Sequence, residues 1–228
     1  MDGTAPAGFW RRALAYGLDW LLLAPILTLL LAPALADAWA AMRGLNSLLQ
    51  AWLLAKMLAS PDALPSPVSL AQAVMRDAPL LASINAAFAH LSWALTKATL
   101  LGASAAAIYF IGFEASAWRA TPGKRLLGIT VLDLLGQRMG WRRASARFLS
   151  GSLSWLSLNL GHALAGWRTD GRALHDLIAG TCVVVRAPMP RWGRWLLYAL
   201  PVLLFALIVG LLGRLFWLLA QVENAGLL

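Results

Sequence analysis

Apolar residues form three long runs along the chain, at about 10–36, 91–113 and 195–220. Each run is long enough to cross the hydrocarbon core of a bilayer as a helix, which takes roughly 20 residues. Pro25 and Pro33 in the first run are expected to kink or end its helix. The pattern therefore predicts three transmembrane helices.

The segment 37–90, between the first two runs, is more polar. Apolar residues recur at helical spacing over 38–59, with Arg43 and Lys56 among the polar residues between them. That mixture favours an amphipathic helix on the bilayer surface over a further span. A short helix is predicted over 69–77, ended by Pro79. We expect 37–90 to be an extracytoplasmic insertion.

Between the second and third runs the pattern changes to short β-type stretches. Residues 126–132 and 180–186 are predicted strands, and 137–141 is a candidate for a third, returning strand. Residues 121–124 are predicted to form a turn. Together these stretches predict a small β cap, which requires them to lie on one side of the membrane.

The stretch 147–167 is apolar enough to enter the bilayer, and basic clusters flank it on both sides. A single crossing would place one cluster outside, against the positive-inside rule. A re-entrant or interfacial helical hairpin keeps both clusters inside, and we favour it. The predicted fold is thus an all-α membrane protein with three transmembrane helices, this hairpin and a small cytoplasmic β cap, with the N-terminus inside.

The composition supports a membrane protein. The 228 residues are 60% hydrophobic and only 13% charged, about half the charged share of a soluble domain. The formal charge of +9 is explained by cytoplasmic Lys and Arg, so no nucleic-acid partner is expected. Lys124 and the other basic residues of 121–186 are instead expected to contact anionic lipid head groups. The single cysteine, Cys182, excludes an intrachain disulfide and is interpreted as a small apolar residue.

Several charged residues border or enter the apolar runs. Asp19 lies in the first run, just before its uncharged part 20–36 and seven residues after Arg12, so a helix places both on nearly the same face. An acid in a span is costly and therefore either functional or a buried packing group. Glu114 directly follows the second run, and His175 and Asp176 follow the hairpin. These three residues and Asp19 are expected to converge near the inner face.

Three segments carry a resemblance to a known family: GFWRRALAYGLDWLL, TPGKRLLGITVLDLLGQRMGWRRASAR and RALHDLIAGTCVVVR. They resemble the RDD family of bacterial membrane proteins, named for one arginine and two aspartates, which correspond to Arg12, Asp19 and Asp176. The supporting residues of the predicted site are Glu114, Gly123, Lys124, Arg147 and His175. The resemblance implies an RDD-type membrane domain over 1–186, an additional helix over 187–228, and a place in the bacterial cytoplasmic (inner) membrane.

The resemblance leaves the function open. It implies either monovalent cation/proton antiport, proposed for one branch, or an accessory role beside AAA+ ATPases. In the first case Asp19 is the coupling acid of a small ion transporter. In the second, the Arg12, Asp19 and Asp176 trio is a structural clasp in a non-catalytic scaffold that recruits partner proteins. A lipid-binding protein is a third alternative.

No enzyme is expected, because the chain has neither a nucleophile elbow, nor a zinc-protease motif, nor a phosphate-binding loop. No cofactor and no metal ligand set is expected either. Three helices scarcely enclose a pathway, so transport would require a homo-oligomer or a membrane partner.

Overall fold

The computed structural model describes residues 5–59, 66–156 and 160–224. Helices dominate the described residues, and two short strands form a single sheet. The helices are α1 (Phe9–Ala59), α2 (Pro67–Arg76), α3 (Ala78–Ala115), α4 (Pro122–Leu126), α5 (Trp141–Leu156), α6 (Leu160–Trp167), α7 (Leu174–Ala179) and α8 (Arg191–Asn224). The strands are β1 (Ile129–Asp133) and β2 (Thr181–Val185).

Among the described residues, three helices are long and apolar enough to cross a membrane: α1, α3 and Arg191–Arg214 of α8. This confirms the three predicted apolar helices, although the first two are longer than expected. With 51 and 38 residues, α1 and α3 are about twice the roughly 20 residues that a bilayer core requires.

The helix predicted at 38–59 is present, but it is a continuation of α1 rather than a separate element, and its place on the bilayer surface remains a prediction. Helix α1 continues through Pro25 and Pro33 to Ala59 without a break. A proline removes one backbone hydrogen bond, but the alanines and leucines around these two have the strongest helix propensity, and the helix continues.

The short helix predicted over 69–77 is confirmed as α2, which ends at Arg76, before Pro79. Pro79 lies in the first turn of α3, where a backbone N–H has no partner within the helix in any case. The carboxylate of Asp77 accepts the Leu80 N–H at 3.0 Å and so caps this helix.

Strands β1 and β2 pair antiparallel, with Ile129 opposite Val185 and Asp133 opposite Thr181. The predicted third strand at 137–141 is absent: 137–140 is irregular and Trp141 begins α5. The Asp133 carboxylate accepts the N–H groups of Leu135 and Gln137, at 3.0 and 2.8 Å, and this turn replaces a returning ladder.

The N-terminal residues pair with the other edge of β2. The Ala7 N–H donates to the Val183 carbonyl at 2.9 Å, and the Val185 N–H donates to the Ala5 carbonyl at 3.0 Å. The sheet thereby fixes the start of α1.

The turn predicted at 121–124 is the short helix α4, for which Thr121 is the N-cap. The stretch 147–167 is helical in α5 and α6, while 157–159, where a hairpin would turn, lies outside the described residues. Whether this stretch re-enters the bilayer remains a prediction, as does the cytoplasmic side of the β cap.

The chain divides into two compact units. The first unit comprises Met1–Leu22 and Ala107–Leu228, and the second unit comprises Leu23–Ala106. The first unit has an apolar core around β1 and β2. Its largest buried side chains are Leu127, Ile129, Val131, Met139 and Val183. Cys182 is a buried, free thiol on β2, which agrees with its interpretation as a small apolar residue.

Candidate functional site

The first unit brings all the predicted site residues together on five helices. Arg12 and Asp19 lie on α1, Glu114 on α3, Gly123 and Lys124 on α4, Arg147 on α5, and His175 and Asp176 on α7. The charged members are buried: Asp19 and Asp176 are fully inaccessible, and Glu114, Lys124 and Arg147 are no more than 7% exposed.

Asp19 is held by neutral donors. The Tyr109 hydroxyl and the Gly123 N–H donate to Oδ1 at 2.8 and 2.7 Å, and the Thr121 hydroxyl donates to Oδ2 at 2.5 Å. Within the described part of the chain, no basic side chain forms an ion pair with Asp19 at 4.0 Å or less. Although Arg12 lies seven residues away on the same helix, it pairs elsewhere.

Five charged side chains form a continuous series, here called the ion-pair chain. Arg12 pairs with Oδ2 of Asp176, and Arg147 pairs with Oδ1 of the same carboxylate. Arg147 Nε also lies 3.0 Å from Oε2 of Glu114, and Lys124 pairs with the other oxygen of Glu114. Charges of opposite sign therefore alternate from Arg12 to Lys124.

Further donors and acceptors contact Arg12, Asp176 and Arg147 of the ion-pair chain. Arg12 donates to the Gly171 carbonyl at 2.5 Å, and the Ala173 N–H donates to Asp176 at 3.0 Å, at the start of α7. Thr181 on β2 accepts from Arg147 at 3.1 Å and donates to Asp176 at 3.3 Å. The ion-pair chain thus connects α1, α5, α7 and the sheet.

Lys124 is buried inside the first unit, although the sequence predicted a contact with lipid head groups. It is 7% exposed and its ammonium group is paired with Glu114. Burial lowers the pKa of Lys124 below its ordinary value, while the Glu114 carboxylate opposes that shift. The Lys124 ammonium group is therefore not available to lipid head groups, while the lipid contact of the other basic residues of 121–186 remains a prediction.

Gly123 allows α4 to approach α1 closely. A Cβ atom at this position would lie 2.3 Å from the Ala15 carbonyl oxygen and 2.8 Å from Oδ1 of Asp19. Because only a glycine fits, the N–H of residue 123 can reach the Asp19 carboxylate.

His175 is a neutral neighbour of the ion-pair chain. Its Nε2 lies 3.7 Å from Oδ1 of Asp176, and its ring centre lies 5.1 Å from that of His162. Burial, together with the positive charges of Arg147 and Arg12, holds the pKa of His175 well below its usual value. The imidazole therefore adds no charge to the site at neutral pH.

Sequence reasoning missed four residues that complete the site: Tyr109, Thr121, Thr181 and Arg11. Thr121 precedes a proline in a Thr-Pro-Gly sequence, which is a helix-start signal that could have identified it. Arg11 precedes Arg12 on α1. It donates to the carbonyls of Leu127 at 2.7 Å and Ala187 at 2.6 Å, which precede β1 and follow β2.

The described residues contain no group of three or more His, Cys, Asp or Glu side chains that could hold a metal ion. The site is instead a closed set of ion pairs and hydrogen bonds.

These features define an integral-membrane type of protein: apolar helices of membrane-spanning length with a buried charged site at one end of two of them. The family model described as the RDD family matches residues 6–180, well over half of the chain. The chain belongs to the RDD family. The match includes Arg12, Asp19 and Asp176 and ends before β2 and α8. No curated protein and no solved structure matches the chain.

Proposed function

We propose that this RDD-family chain is a non-catalytic membrane scaffold or accessory subunit, in which the buried charges are a structural clasp. The observation that carries the proposal is charge balance in a closed site. Three cations (Arg12, Lys124, Arg147) and three acids (Asp19, Glu114, Asp176) sum to zero, and every acid is at most 5% exposed.

Such a site suits a fixed structure better than a carrier cycle. Removing one partner of a buried pair leaves a buried charge without compensation, which costs about 3–5 kcal/mol. A carrier that exchanged a proton for a cation at one of these acids would meet that imbalance in each cycle. The ion-pair chain also joins helices that are far apart in the sequence, as a clasp requires.

One observation favours a second function, a small proton-coupled ion transporter. Asp19 lies at the start of an apolar run and is contacted by neutral donors alone. A carboxylate without a direct cationic partner is the kind of group that binds a proton or a monovalent cation in exchange.

Proteoliposome flux separates the two functions. Proton movement driven by sodium and then potassium gradients is measured for the wild type and for Asp19→Asn at matched folded yield. The matched control is Asp170→Asn, which makes the same substitution at a partly exposed acid outside the ion-pair chain. We expect no flux in any of the three proteins. Flux in the wild type and control that is lost in Asp19→Asn would overturn the scaffold and assign the coupling acid.

The proposed orientation follows from the distribution of basic residues. We place the N-terminus and the basic segments of 121–186, with their β cap, on the cytoplasmic side of the bacterial inner membrane. Exposed basic residues there are available to anionic lipids. The proposed partner is a second copy of the chain or a membrane protein linked to an AAA+ ATPase.

Cysteine labelling tests this orientation. In a Cys182→Ala background, Ser69→Cys on α2 and Arg138→Cys after β1 introduce thiols at two exposed positions. We expect an impermeant maleimide to label the first in intact cells and the second only after permeabilisation. The reverse pattern would contradict the orientation without affecting the structural clasp.

A further inference from the structure

The second unit contains a groove that the proposed function does not use. It has a volume of about 600 Å³, and Asp37, His90, Trp93 and Lys97 line it together with four alanines. We propose that this groove binds the head group of an amine-bearing zwitterionic phospholipid, the class of phosphatidylethanolamine. The proposal does not depend on the scaffold function.

The sequence places the groove at the level of lipid head groups. Residues 20–36 contain no charge and end at Asp37, and residues 98–113 contain no charge and begin after Lys97. At about 1.5 Å per residue, each charge-free stretch covers roughly 25 Å, close to the thickness of the hydrocarbon core. Asp37 and Lys97 are the charged residues that bound these two stretches, and the other residues that line the groove lie on the far side of both charges.

The charges of the groove are complementary to both ends of the head group. Lys97 Nζ and Asp37 Oδ2 lie 3.0 Å apart, one from each helix. The Lys97 ammonium matches the lipid phosphate, and the Asp37 carboxylate accepts hydrogen bonds from a primary lipid amine. A quaternary amine has no N–H to donate, and an anionic head group without an amine would meet the carboxylate with like charge.

The pair is exposed enough to serve a ligand. The side chains of Lys97 and Asp37 are 38% and 61% exposed. An exposed ion pair of this kind contributes little to the stability of the fold, so little stability is lost when the two groups turn toward a lipid. In the ion-pair chain, by contrast, the charged groups are buried and paired with one another.

The walls of the groove suit a lipid at the interface. Four of its eight lining residues have small side chains (Ala40, Ala41, Ala87 and Ala94). Trp93 lines the groove and is 65% exposed. An exposed tryptophan is favoured at the membrane–water boundary, where its ring contacts both the apolar and the polar region.

Native mass spectrometry of the full-length protein tests the proposal. The protein in mild detergent is mixed with equal amounts of phosphatidylethanolamine, phosphatidylcholine and phosphatidylglycerol, and bound lipids are counted. We expect the wild type to retain phosphatidylethanolamine preferentially. Lys97→Gln should lower its retention about tenfold, which corresponds to about 1.4 kcal/mol. Asp37→Asn should abolish the preference over phosphatidylglycerol.

Two further variants separate binding from folding. Lys56→Gln removes an exposed lysine of α1 that does not line the groove, and retention should not change. Ala41→Leu places a larger side chain in the groove and leaves the ion pair intact. Retention of phosphatidylethanolamine should therefore fall, while the unfolding temperature stays that of the wild type.

Two results would overturn the proposal. The first is an equal distribution of the three lipids on the wild type, and the second is an unchanged preference in Lys97→Gln and Asp37→Asn.

Discussion

At the scale of single residues, the two family aspartates differ in what they accept. Asp176 accepts from two guanidinium groups, whereas Asp19 accepts from two hydroxyls and one backbone N–H. Both are fully buried, and a buried carboxylate that loses a donor loses a charge-assisted hydrogen bond, which contributes about 1.5–3 kcal/mol. The donors of Asp19 are therefore as much part of the site as the aspartate.

Removing the Thr121 hydroxyl tests this point. We expect Thr121→Val to lower the free energy of unfolding by about 1.5–3 kcal/mol, because Asp19 Oδ2 loses the donor at 2.5 Å and α4 loses its N-cap. The measurement is equilibrium unfolding in detergent.

Thr130→Val is the matched control on β1. The Thr130 hydroxyl is buried and has no hydrogen-bond partner among the described residues, so its loss should be neutral or stabilising. Equal losses in the two variants would show that the Asp19 contact contributes nothing of its own.

His175 makes stability depend on pH. Its pKa is lowered in the folded protein by burial and by Arg147, Arg12, His162 and Lys124. The unfolded chain binds a proton as the pH falls through about 6.5, while the folded chain does not. The neutral, buried His175 therefore imposes no cost on the folded state above about pH 6.5, and the free energy of unfolding decreases as the pH falls below that value.

We expect the unfolding temperature of the wild type to fall between pH 7 and pH 5, and His175→Gln to flatten this dependence. The control is His90→Gln, at an exposed histidine outside the site. A pH profile that His175→Gln leaves unchanged would contradict a neutral, buried His175.

At the scale of elements, the close approach of α4 to α1 depends on Gly123. We expect Gly123→Ala to cost about 1–3 kcal/mol, because its Cβ would lie 2.3 Å from a backbone oxygen that cannot move away independently. Gly140→Ala is the matched control, since nothing lies within 4 Å of its added Cβ. The measurement is the free energy of unfolding of both variants, and a similar small change in each would exclude a close approach.

The sequence predicted the helices better than their ends. Three apolar runs predicted α1, α3 and the spanning part of α8 because a bilayer selects for length and hydropathy, and both can be counted along the chain. The ends of α1 and α3 could not be counted in this way. Alanine-rich sequence continues α1 to Ala59, and α3 begins just before Pro79 because Asp77 caps it.

The strands show the same limit. β-Branched residues predicted β1 and β2 in nearly their observed positions. The prediction of a third strand at 137–141 was wrong because the Asp133 carboxylate accepts the N–H groups of Leu135 and Gln137 and forms a turn there. Residues 5–7 at the N-terminus pair with β2 instead, and no local pattern signals that pairing.

At the scale of the whole molecule, the site residues could be selected from the sequence because charges are rare in an apolar chain. Their pairing could not be. Spacing on α1 suggested that Arg12 faces Asp19, but Arg12 pairs with Asp176 from α7, 164 residues away. The partner of Lys124 could not be predicted either, because Glu114 lies on a different helix. A lipid contact was predicted for Lys124 instead. Which charge meets which is decided by tertiary packing.

The central claim is that the buried charges act together as a structural clasp, and a double-mutant cycle on Glu114 and Lys124 tests it most directly. Each single variant, Glu114→Gln or Lys124→Met, leaves the network with an unbalanced charge, which should cost about 3–5 kcal/mol in the free energy of unfolding. The double variant restores neutrality, so its loss should be smaller than the sum of the two by more than about 1.5 kcal/mol. Losses that add to within about 0.5 kcal/mol would show that the two charges act independently and would contradict the clasp.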